Sequence, residues 1–283
     1  PYNISHEEII RRTNEAVDRG ATEVCLQGGI HPKYSGETYL EIVKAIRLAS
    51  PSIHIHAFSP LEIDHGRKTL NISTKEFLQE LQNAGLNSLP GTAAEILHDD
   101  IREIICPDKL TSNQWIEIIE TAHSVGLPTT STMMFGHIER TAHVAHHLLE
   151  LLNLQKRTNG ITEFVPLPFV ADEAPIYRRG QARPGPTFKE TILVHSVARI
   201  LFQGQINNIQ GSWVKMGLPG LKFLLSSGIN DIGGVLMNES ITRSAGASFG
   251  QELRLEEVEG IVNELGLYLQ QRNTLYLSLI HIS

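Results

Sequence analysis

Apolar residues follow two different spacings along the chain, and segments with the two spacings alternate. Apolar positions recur every three or four residues behind Ser-x-x-Glu capping boxes at Ser5 and Ser73, which predicts helices. Short apolar runs have the length of buried strands and are predicted at 22–26, 53–58, 86–89, 128–135, 161–165, 205–209 and 231–236. Helices are predicted at 5–20, 37–49, 60–70, 73–84, 91–97, 111–125, 140–157, 187–202, 214–225 and 255–267. This alternation predicts a parallel sheet with crossover helices.

The number of strands narrows the fold class. An open doubly wound sheet remains possible, but the sequence lacks the Gly-x-Gly-x-x-Gly turn of dinucleotide-binding domains. A closed (β/α) barrel has eight strands, whereas seven are predicted here and a helix comes first. We therefore expect an α/β fold, a TIM-type barrel truncated before or within its first βα unit.

Composition limits the function classes. The 283 residues carry a formal net charge of −7, which argues against nucleic-acid binding, and no apolar run has the length of a membrane span. We expect a cytoplasmic protein with no nucleic-acid or membrane partner. Cys25 and Cys106 are the only cysteines, so no disulfide framework is expected and no cysteine-ligated metal site can be built from them alone.

Candidate chemistry concentrates at the predicted strand ends, where a barrel places its ligands. The first such end is Gln27-Gly28-Gly29, and two glycines there allow a ligand close to the backbone. The other ends are also rich in glycine, proline and polar residues, at 59–62, 90–95, 134–139, 166–169, 208–213 and 231–235. Seven such ends in register indicate a shared ligand chamber.

Each of these features also has a purely structural interpretation. Gly28 and Gly29 can form a simple turn, Glu95 can complement a helix dipole, and Trp213 can be a packing residue. A solvated helix face is favoured over a metal site for His143 and His147, although their i,i+4 spacing suits metal ligands.

Two further groups stay open at this stage. His54 and His56 alternate in a strand and point into the barrel, either as core residues or as lining of a ligand site. A basic loop contains Arg178, Arg179 and Arg183, which form either a solvated loop or an anion clamp.

Taken together, the strand ends resemble one enzyme family. The segments are ATEVCLQGGIHP, HAFSPLEI, GLNSLPGTAAEIL, TTSTMMFGHIE, FVPLPF, NNIQGSWVKMG and DIGGVLMNESITRSAGASFG. They are similar to radical S-adenosylmethionine (SAM) enzymes of deazaflavin and menaquinone synthesis, most of all to the FO synthase subunit 2 family. The resemblance covers about residues 2–276.

The resemblance implies a SAM-dependent barrel enzyme with a [4Fe-4S] cluster. Its substrates would be L-tyrosine and 5-amino-6-(D-ribitylamino)uracil, its reaction a 4-hydroxybenzyl transfer, and its functional partner FO synthase subunit 1; the electron donor is not implied. The family's SAM side matches Gln27, Gly28, Gly29, Glu95 and Glu139. The uracil and ribityl end matches Asn208, Gln210, Trp213, Asp231, Glu239 and Ser244.

The sequence departs from the family pattern at the cluster. The family holds its cluster with a Cys-x3-Cys-x2-Cys loop after the first strand, and three thiolates leave one iron open for SAM. No such loop occurs here, so the cluster cysteines are expected upstream of Pro1 and the fragment itself is expected to be inactive. Residues 277–283 match no part of the family pattern and are expected to be a non-native tail.

Three functions remain open. The first is the tyrosine transferase, the second is a menaquinone-pathway cyclase or aminofutalosine synthase, and the third is a barrel without a cluster that binds a nucleoside-like ligand. The segments SWVKMG and DIGGVLMNESITRSAG favour the first.

Overall fold

The computed structural model of the chain describes residues 3–234 and 253–277. The chain divides into two compact units. One unit contains Pro1–Ala93, Asn113–Thr130 and Gln271–Ser283, and the other contains Ala94–Ser112 and Ser131–Gln270. Glu239, Ser244 and all of the proposed tail except Leu277 lie outside the described residues.

Helices and strands alternate in the described residues, as the apolar spacing predicts. The helices are α1 His6–Asp18, α2 Gly36–Ala49, α3 Pro60–Leu70, α4 Thr74–Ala84, α5 Asp99–Ile105, α6 Ser112–Ser124, α7 Thr141–Thr158, α8 Pro175–Arg178, α9 Phe188–Leu201, α10 Trp213–Leu225 and α11 Leu255–Glu264. The strands are β1 Glu23–Leu26, β2 His54–Ala57, β3 Thr129–Phe135 and β4 Ile161–Pro168.

The first unit contains a parallel ladder. Strands β1 and β2 are parallel, with Glu23 opposite His54 and Leu26 opposite Ala57. The ladder continues through isolated parallel bridges, from His56 to Ser88 and from Leu89 to Thr129. Because parallel strands share one direction, the residues that follow β1, β2 and Leu89 all lie at the same edge of this sheet.

The second unit continues the same pattern. Strand β3 lies beside β4, Phe164 bridges to Ile209, and Gln210 bridges to Asp231. The predicted strands at 86–89, 205–209 and 231–236 are therefore reduced to bridging residues where they are described. Residues 235 and 236 lie outside the described part.

Apolar side chains fill the space between helices and strands in each unit. In the first unit α2 packs against α1, α3 and α4, and Ile46, Ile63 and Phe77 are fully buried there. In the second unit Phe164 of β4 meets Phe202 edge to face, with their ring centroids 5.2 Å apart. These buried faces hold the strand ends at fixed positions.

One predicted helix is wrong. Residues 91–97 form a loop, because Ala93 and Glu95 adopt left-handed φ angles of 57° and 47° that no right-handed helix contains. The helix in this region is α5, which begins eight residues later than predicted, at Asp99. Helix α10 is also interrupted, at Gly217, where φ is 65° and ψ is 175°.

In the described part of the chain, none of the helices is both long enough and apolar enough to cross a membrane.

Candidate functional site

The predicted glycine edge follows β1. Gln27, Gly28 and Gly29 are all exposed, so a ligand can reach the backbone here. The edge is not a free turn, since the Gly28 N–H donates to Oε1 of Glu62 at 3.2 Å. Glu62 stands at the start of α3, after the neighbouring strand, and was not among the predicted site residues.

Glu95 lies in the strained loop that replaces the predicted helix. Its side chain is half-buried and pairs with Lys109, and its carbonyl accepts from the Met134 N–H at 2.7 Å. A left-handed φ on a non-glycine residue costs about 1 kcal/mol or more and persists only where its surroundings enforce it. Such strain is common at ligand sites, so the loop keeps Glu95 as a candidate.

A buried arginine donates hydrogen bonds to the backbone of this loop and of the segment that follows α5. Arg102 of α5 is 3% exposed and donates to the carbonyl oxygens of Ala94 and, at 2.8 Å, Leu110. Sequence reasoning missed Arg102 because an arginine on an amphipathic helix normally faces solvent. Its guanidinium satisfies carbonyl groups that the irregular backbone leaves without helical partners.

Both carboxylate oxygens of Glu139 accept hydrogen bonds from the backbone of the loop after β3. Its Oε1 accepts from the Gly136 N–H at 2.7 Å, and its Oε2 accepts from the His137 N–H at 2.8 Å. Arg183 adds a third donor, with Nη2 3.0 Å from Oε1. Burial acts to raise the pKa of Glu139, but the backbone N–H of Gly136 and the other groups around the carboxyl outweigh it and lower that pKa.

The predicted SAM-side role of Glu139 stays a prediction. Its side chain is 2% exposed, so it shapes the loop and does not present a carboxylate to solvent. The adjacent His137 is held as a neutral ring, because the Ile138 N–H donates to Nδ1 at 2.8 Å and burial lowers its pKa.

A cavity of about 380 Å³ lies beside this loop. It is lined by His137, Ile138, Glu139, Gly180, Gln181, Ala182 and Arg183. A larger cavity of about 550 Å³, lined among others by Arg47, His54 and Asn87, lies in the first unit near the starts of the strands. It therefore does not belong to the predicted strand-end site.

Three of the residues predicted for the uracil end come together in the second unit. Trp213 Nε1 donates to the Gly234 carbonyl at 3.1 Å, and Asp231 Oδ1 accepts from the Gly233 N–H at 2.6 Å. Gln210 packs against Gly233 so closely that a Cβ there would sit 2.0 Å from its Nε2. An amide, an indole and a carboxylate thus surround one turn, 231–234.

Asn208 is not part of this group. Its Nδ2 donates to the Thr162 carbonyl at 2.9 Å, and its Oδ1 lies 3.4 Å from Nδ2 of Asn230. These bonds link Asn208 to the neighbouring residues Thr162 and Asn230. Its predicted contact with substrate stays a prediction, and so do the roles of Glu239 and Ser244.

The histidine pair at i,i+4 does not form a metal site. The expected solvated position is wrong for His147, which is fully buried and whose Nδ1 accepts from the Leu97 N–H at 2.9 Å. His143 instead lies beside His98, with ring centroids 4.5 Å apart. In the described ranges, 3–234 and 253–277, no group of three or more potential ligand side chains could hold a metal ion.

For the strand histidines and the basic loop, whose roles were left open, the contacts support a structural role. Both His54 Nε2 and His56 Nδ1 lie 2.7 Å from the Ser88 hydroxyl, which joins them within the sheet. The basic loop has partners of its own, because Arg178 pairs with Glu173 and Arg183 pairs with Glu139 and Glu190. These contacts favour a fixed loop over an anion clamp.

The two cysteines do not fit a cluster. Cys25 is exposed on β1 and Cys106 is buried at the end of α5, and two thiolates cannot supply the three ligands that such a cluster needs. The two cysteines of these 283 residues are therefore too few to hold such a cluster by themselves.

Comparison with known proteins agrees with the strand-end motifs. Residues 1–152 match the radical SAM superfamily, and residues 158–280 match the CofH/MqnC C-terminal region. A solved methylornithine synthase shares the fold, with a TM-score of 0.69 and 16% identity over 95% of this chain and 75% of that one. The fold is thus the α/β barrel of the radical SAM class, as predicted.

Other known proteins share much higher sequence identity with this chain than that solved structure does. The 5-amino-6-(D-ribitylamino)uracil–L-tyrosine 4-hydroxyphenyl transferase of Methanothermobacter thermautotrophicus is 46% identical over 97% of this chain and 75% of its own length. The enzyme of the same name from Methanocaldococcus jannaschii is 48% identical, over 97% and 77%. An FO synthase of Mycobacterium leprae is 46% identical over 97% of this chain but only 32% of its own length. The chain therefore belongs to the radical SAM superfamily and, within it, to the family of the 5-amino-6-(D-ribitylamino)uracil–L-tyrosine 4-hydroxyphenyl transferases.

Proposed function

We propose that this protein joins the side chain of L-tyrosine to 5-amino-6-(D-ribitylamino)uracil. The observation that carries the proposal is 46–48% identity over 97% of the chain to enzymes named for that reaction. In the proposed reaction the Cα–Cβ bond of tyrosine breaks and a bond forms from the released benzylic carbon to C5 of the uracil. The rest of the tyrosine leaves as 2-iminoacetate. One hydrogen of tyrosine and one of the uracil are lost in this two-electron oxidation, and SAM is the oxidant, which ends as methionine and 5′-deoxyadenosine.

The turn 231–234 supports a role in holding the uracil. A uracil edge and a ribityl chain carry many donors and acceptors, which amide and carboxylate groups match. Gln210 and Asp231 supply such groups at the strand ends, and the buried Trp213 holds the Gly234 carbonyl beside them. We assign these three residues to the ribitylaminouracil.

The edge 27–29 supports a role in holding SAM. Its exposed backbone can approach the methionyl part of SAM. For Glu95 and Glu139, which belong to the second unit, the assignment to SAM rests on the family resemblance alone. When bound, the [4Fe-4S] cluster supplies the electron that cleaves SAM. We propose that its thiolates come from residues outside these 283, since the chain holds only two cysteines.

The length of the relatives supports a functional partner. The same region occupies 32% of an FO synthase and three quarters of the transferases. We propose that the product passes to FO synthase subunit 1, as a separate chain or as another part of one longer chain.

An anaerobic assay tests the proposed function. A protein that contains these 283 residues together with the segment that supplies the cluster thiolates is reconstituted and incubated with SAM, a reductant, tyrosine and ribitylaminouracil. The hydroxybenzyl adduct and 2-iminoacetate are measured by mass spectrometry. Both products are expected. SAM cleavage without either of them would favour a menaquinone-pathway enzyme, and SAM-independent ligand binding would favour a barrel without a cluster.

One variant tests the assignment of the uracil end. Asp231→Ala should raise the KM for ribitylaminouracil about tenfold, while the rate of SAM cleavage stays near that of the wild type, because a lost charged hydrogen bond is worth about 1.5–3 kcal/mol. An unchanged KM would remove Asp231 from the substrate site.

A further inference from the structure

Glu62 is a buried carboxylate in the first unit that the proposed chemistry does not use. The residue is 3% exposed and stands in the first turn of α3. Its Oε2 accepts from the backbone N–H and the hydroxyl of Ser59, at 2.8 and 2.7 Å, while the Ser59 hydroxyl accepts from the Glu62 N–H. One oxygen of the carboxylate therefore completes the capping box of α3.

The second oxygen reaches another part of the sheet. Oε1 of Glu62 accepts from the Gly28 N–H at 3.2 Å, across 34 positions of sequence. Gly28 lies at the centre of the exposed edge 27–29, and glycine loses more backbone freedom on ordering than any other residue. A charged acceptor inside the protein offsets part of that cost.

A second capping box in the same unit shows what capping alone requires. Ser73 and Glu76 at the start of α4 repeat the same bonds, with the Ser73 N–H and hydroxyl 2.8 and 2.6 Å from Oε2 of Glu76. That box is exposed, whereas the box of α3 is buried. Capping therefore does not explain the burial of Glu62, and the bond to Gly28 is what distinguishes the two boxes.

The backbone between β2 and α3 carries strain at the same place. Phe58, directly before Ser59, has a left-handed φ of 66° and is 3% exposed. Its N–H donates to the Leu26 carbonyl, directly before the edge, at 3.3 Å. A bulky residue in this conformation is costly and is found where the surroundings impose a geometry that function uses.

We propose that Glu62 is a positioning residue that fixes the edge 27–29 in the geometry that receives SAM. The inference rests on the proposed function for the identity of the ligand. Glu62 acts through the Gly28 N–H and does not touch the ligand. Its removal should loosen the edge and weaken SAM binding without altering the reacting groups.

Amide hydrogen exchange tests the link between Glu62 and the edge. In Glu62→Ala the Gly28 amide should exchange at least tenfold faster than in the wild type. Ser59→Ala weakens the cap of the same helix but keeps the bond to Gly28, and Glu76→Ala removes the equivalent carboxylate of α4. Both controls should leave Gly28 exchange within about twofold of the wild type. Equal exchange at Gly28 in Glu62→Ala and the wild type would overturn the proposal.

SAM binding tests the consequence, measured by equilibrium dialysis on the reconstituted protein that includes the segment with the cluster thiolates. Glu62→Ala should raise the Kd and KM for SAM about tenfold and leave kcat within about twofold, and Glu76→Ala should change neither. Glu62→Gln, which keeps the volume and one acceptor, should fall between Glu62→Ala and the wild type. Faster Gly28 exchange with an unchanged Kd would overturn the positioning role.

The two proposals fail in different ways. A wild-type protein that cleaves SAM but forms no hydroxybenzyl adduct contradicts the proposed transferase, and the SAM Kd of Glu62→Ala still decides the role of Glu62. A wild-type protein that binds no SAM contradicts both proposals.

Discussion

The pairing of Glu139 with Arg183 leads to a quantitative prediction about the loop after β3. Glu139→Gln keeps the size of the side chain but replaces one oxygen by an NH₂ group. The two oxygens accept from the N–H groups of Gly136 and His137, so the new NH₂ must face one of these donors. One charge-assisted bond in a buried site is lost, at about 1.5–3 kcal/mol.

The ion pair between Glu139 and Arg183 makes a smaller contribution to the free energy of unfolding. Arg183 is 37% exposed, so solvent screens its attraction to Glu139 and the pair contributes about 1 kcal/mol or less. The free energy of unfolding should therefore fall by about 3 kcal/mol in Glu139→Gln. Glu190→Gln is a matched control, because Glu190 binds the other side of the same guanidinium but is 40% exposed. That variant should lose about 1 kcal/mol or less.

Urea denaturation measures these free energies of unfolding. It compares the wild type with Glu139→Gln, Glu190→Gln, Arg183→Met and the double variant Glu139→Gln/Arg183→Met. The double variant should be more stable than the sum of the single changes predicts, by about 1 kcal/mol, because the two residues share one interaction. A loss in Glu139→Gln no larger than that in Glu190→Gln would refute the reasoning. It would show that Glu139 does not hold the loop and is available for a direct role with SAM.

Two further predictions concern the second unit. Gly136→Ala should destabilise the protein by more than about 2 kcal/mol, since φ is +98° and a Cβ would sit 2.2 Å from Cδ of Pro186, whereas Gly180→Ala, with φ +69° and open space, should cost only about 1 kcal/mol. Thermal unfolding measures both, and equal losses would contradict the steric argument. Burial lowers the pKa of His147 to about 3, below the usual value of about 6.5, so the stability that this residue contributes is complete above pH 6.5 and is lost as the pH falls toward 3. Urea unfolding at several pH values should show a shallower acid loss in His147→Gln, and an unchanged slope would refute the assignment.

Local signals in the sequence were enough for most of the elements. The capping box at Ser73 predicted a helix over 73–84, and the structure has α4 at Thr74–Ala84. The apolar, threonine-rich run at 128–135 predicted β3, which spans Thr129–Phe135. These predictions succeeded because helix caps and apolar spacing depend only on residues that are near one another in the sequence.

Predictions failed where distant residues decide the local backbone. The run 91–97 has helix-forming alanine, glutamate and leucine, yet its backbone turns left-handed at Glu95 while Arg102 satisfies the carbonyl of Ala94. No local pattern reveals such a contact, because it depends on burying a guanidinium against irregular backbone. The same limit applies to Glu139, whose three donors come from its own loop and from Arg183, 44 positions away.

The sequence by itself determined the alternation of helices and strands, the α/β barrel class and, through its strand-end motifs, the family. Those properties follow from apolar spacing and from short motifs, which can be read directly from the linear sequence. Only the tertiary structure decided which polar residues are exposed and which are buried with bonds to the backbone. Gln27-Gly28-Gly29 is exposed while Glu62 beneath it is buried, because burial and hydrogen-bond partners arise only when strands far apart in the chain lie side by side.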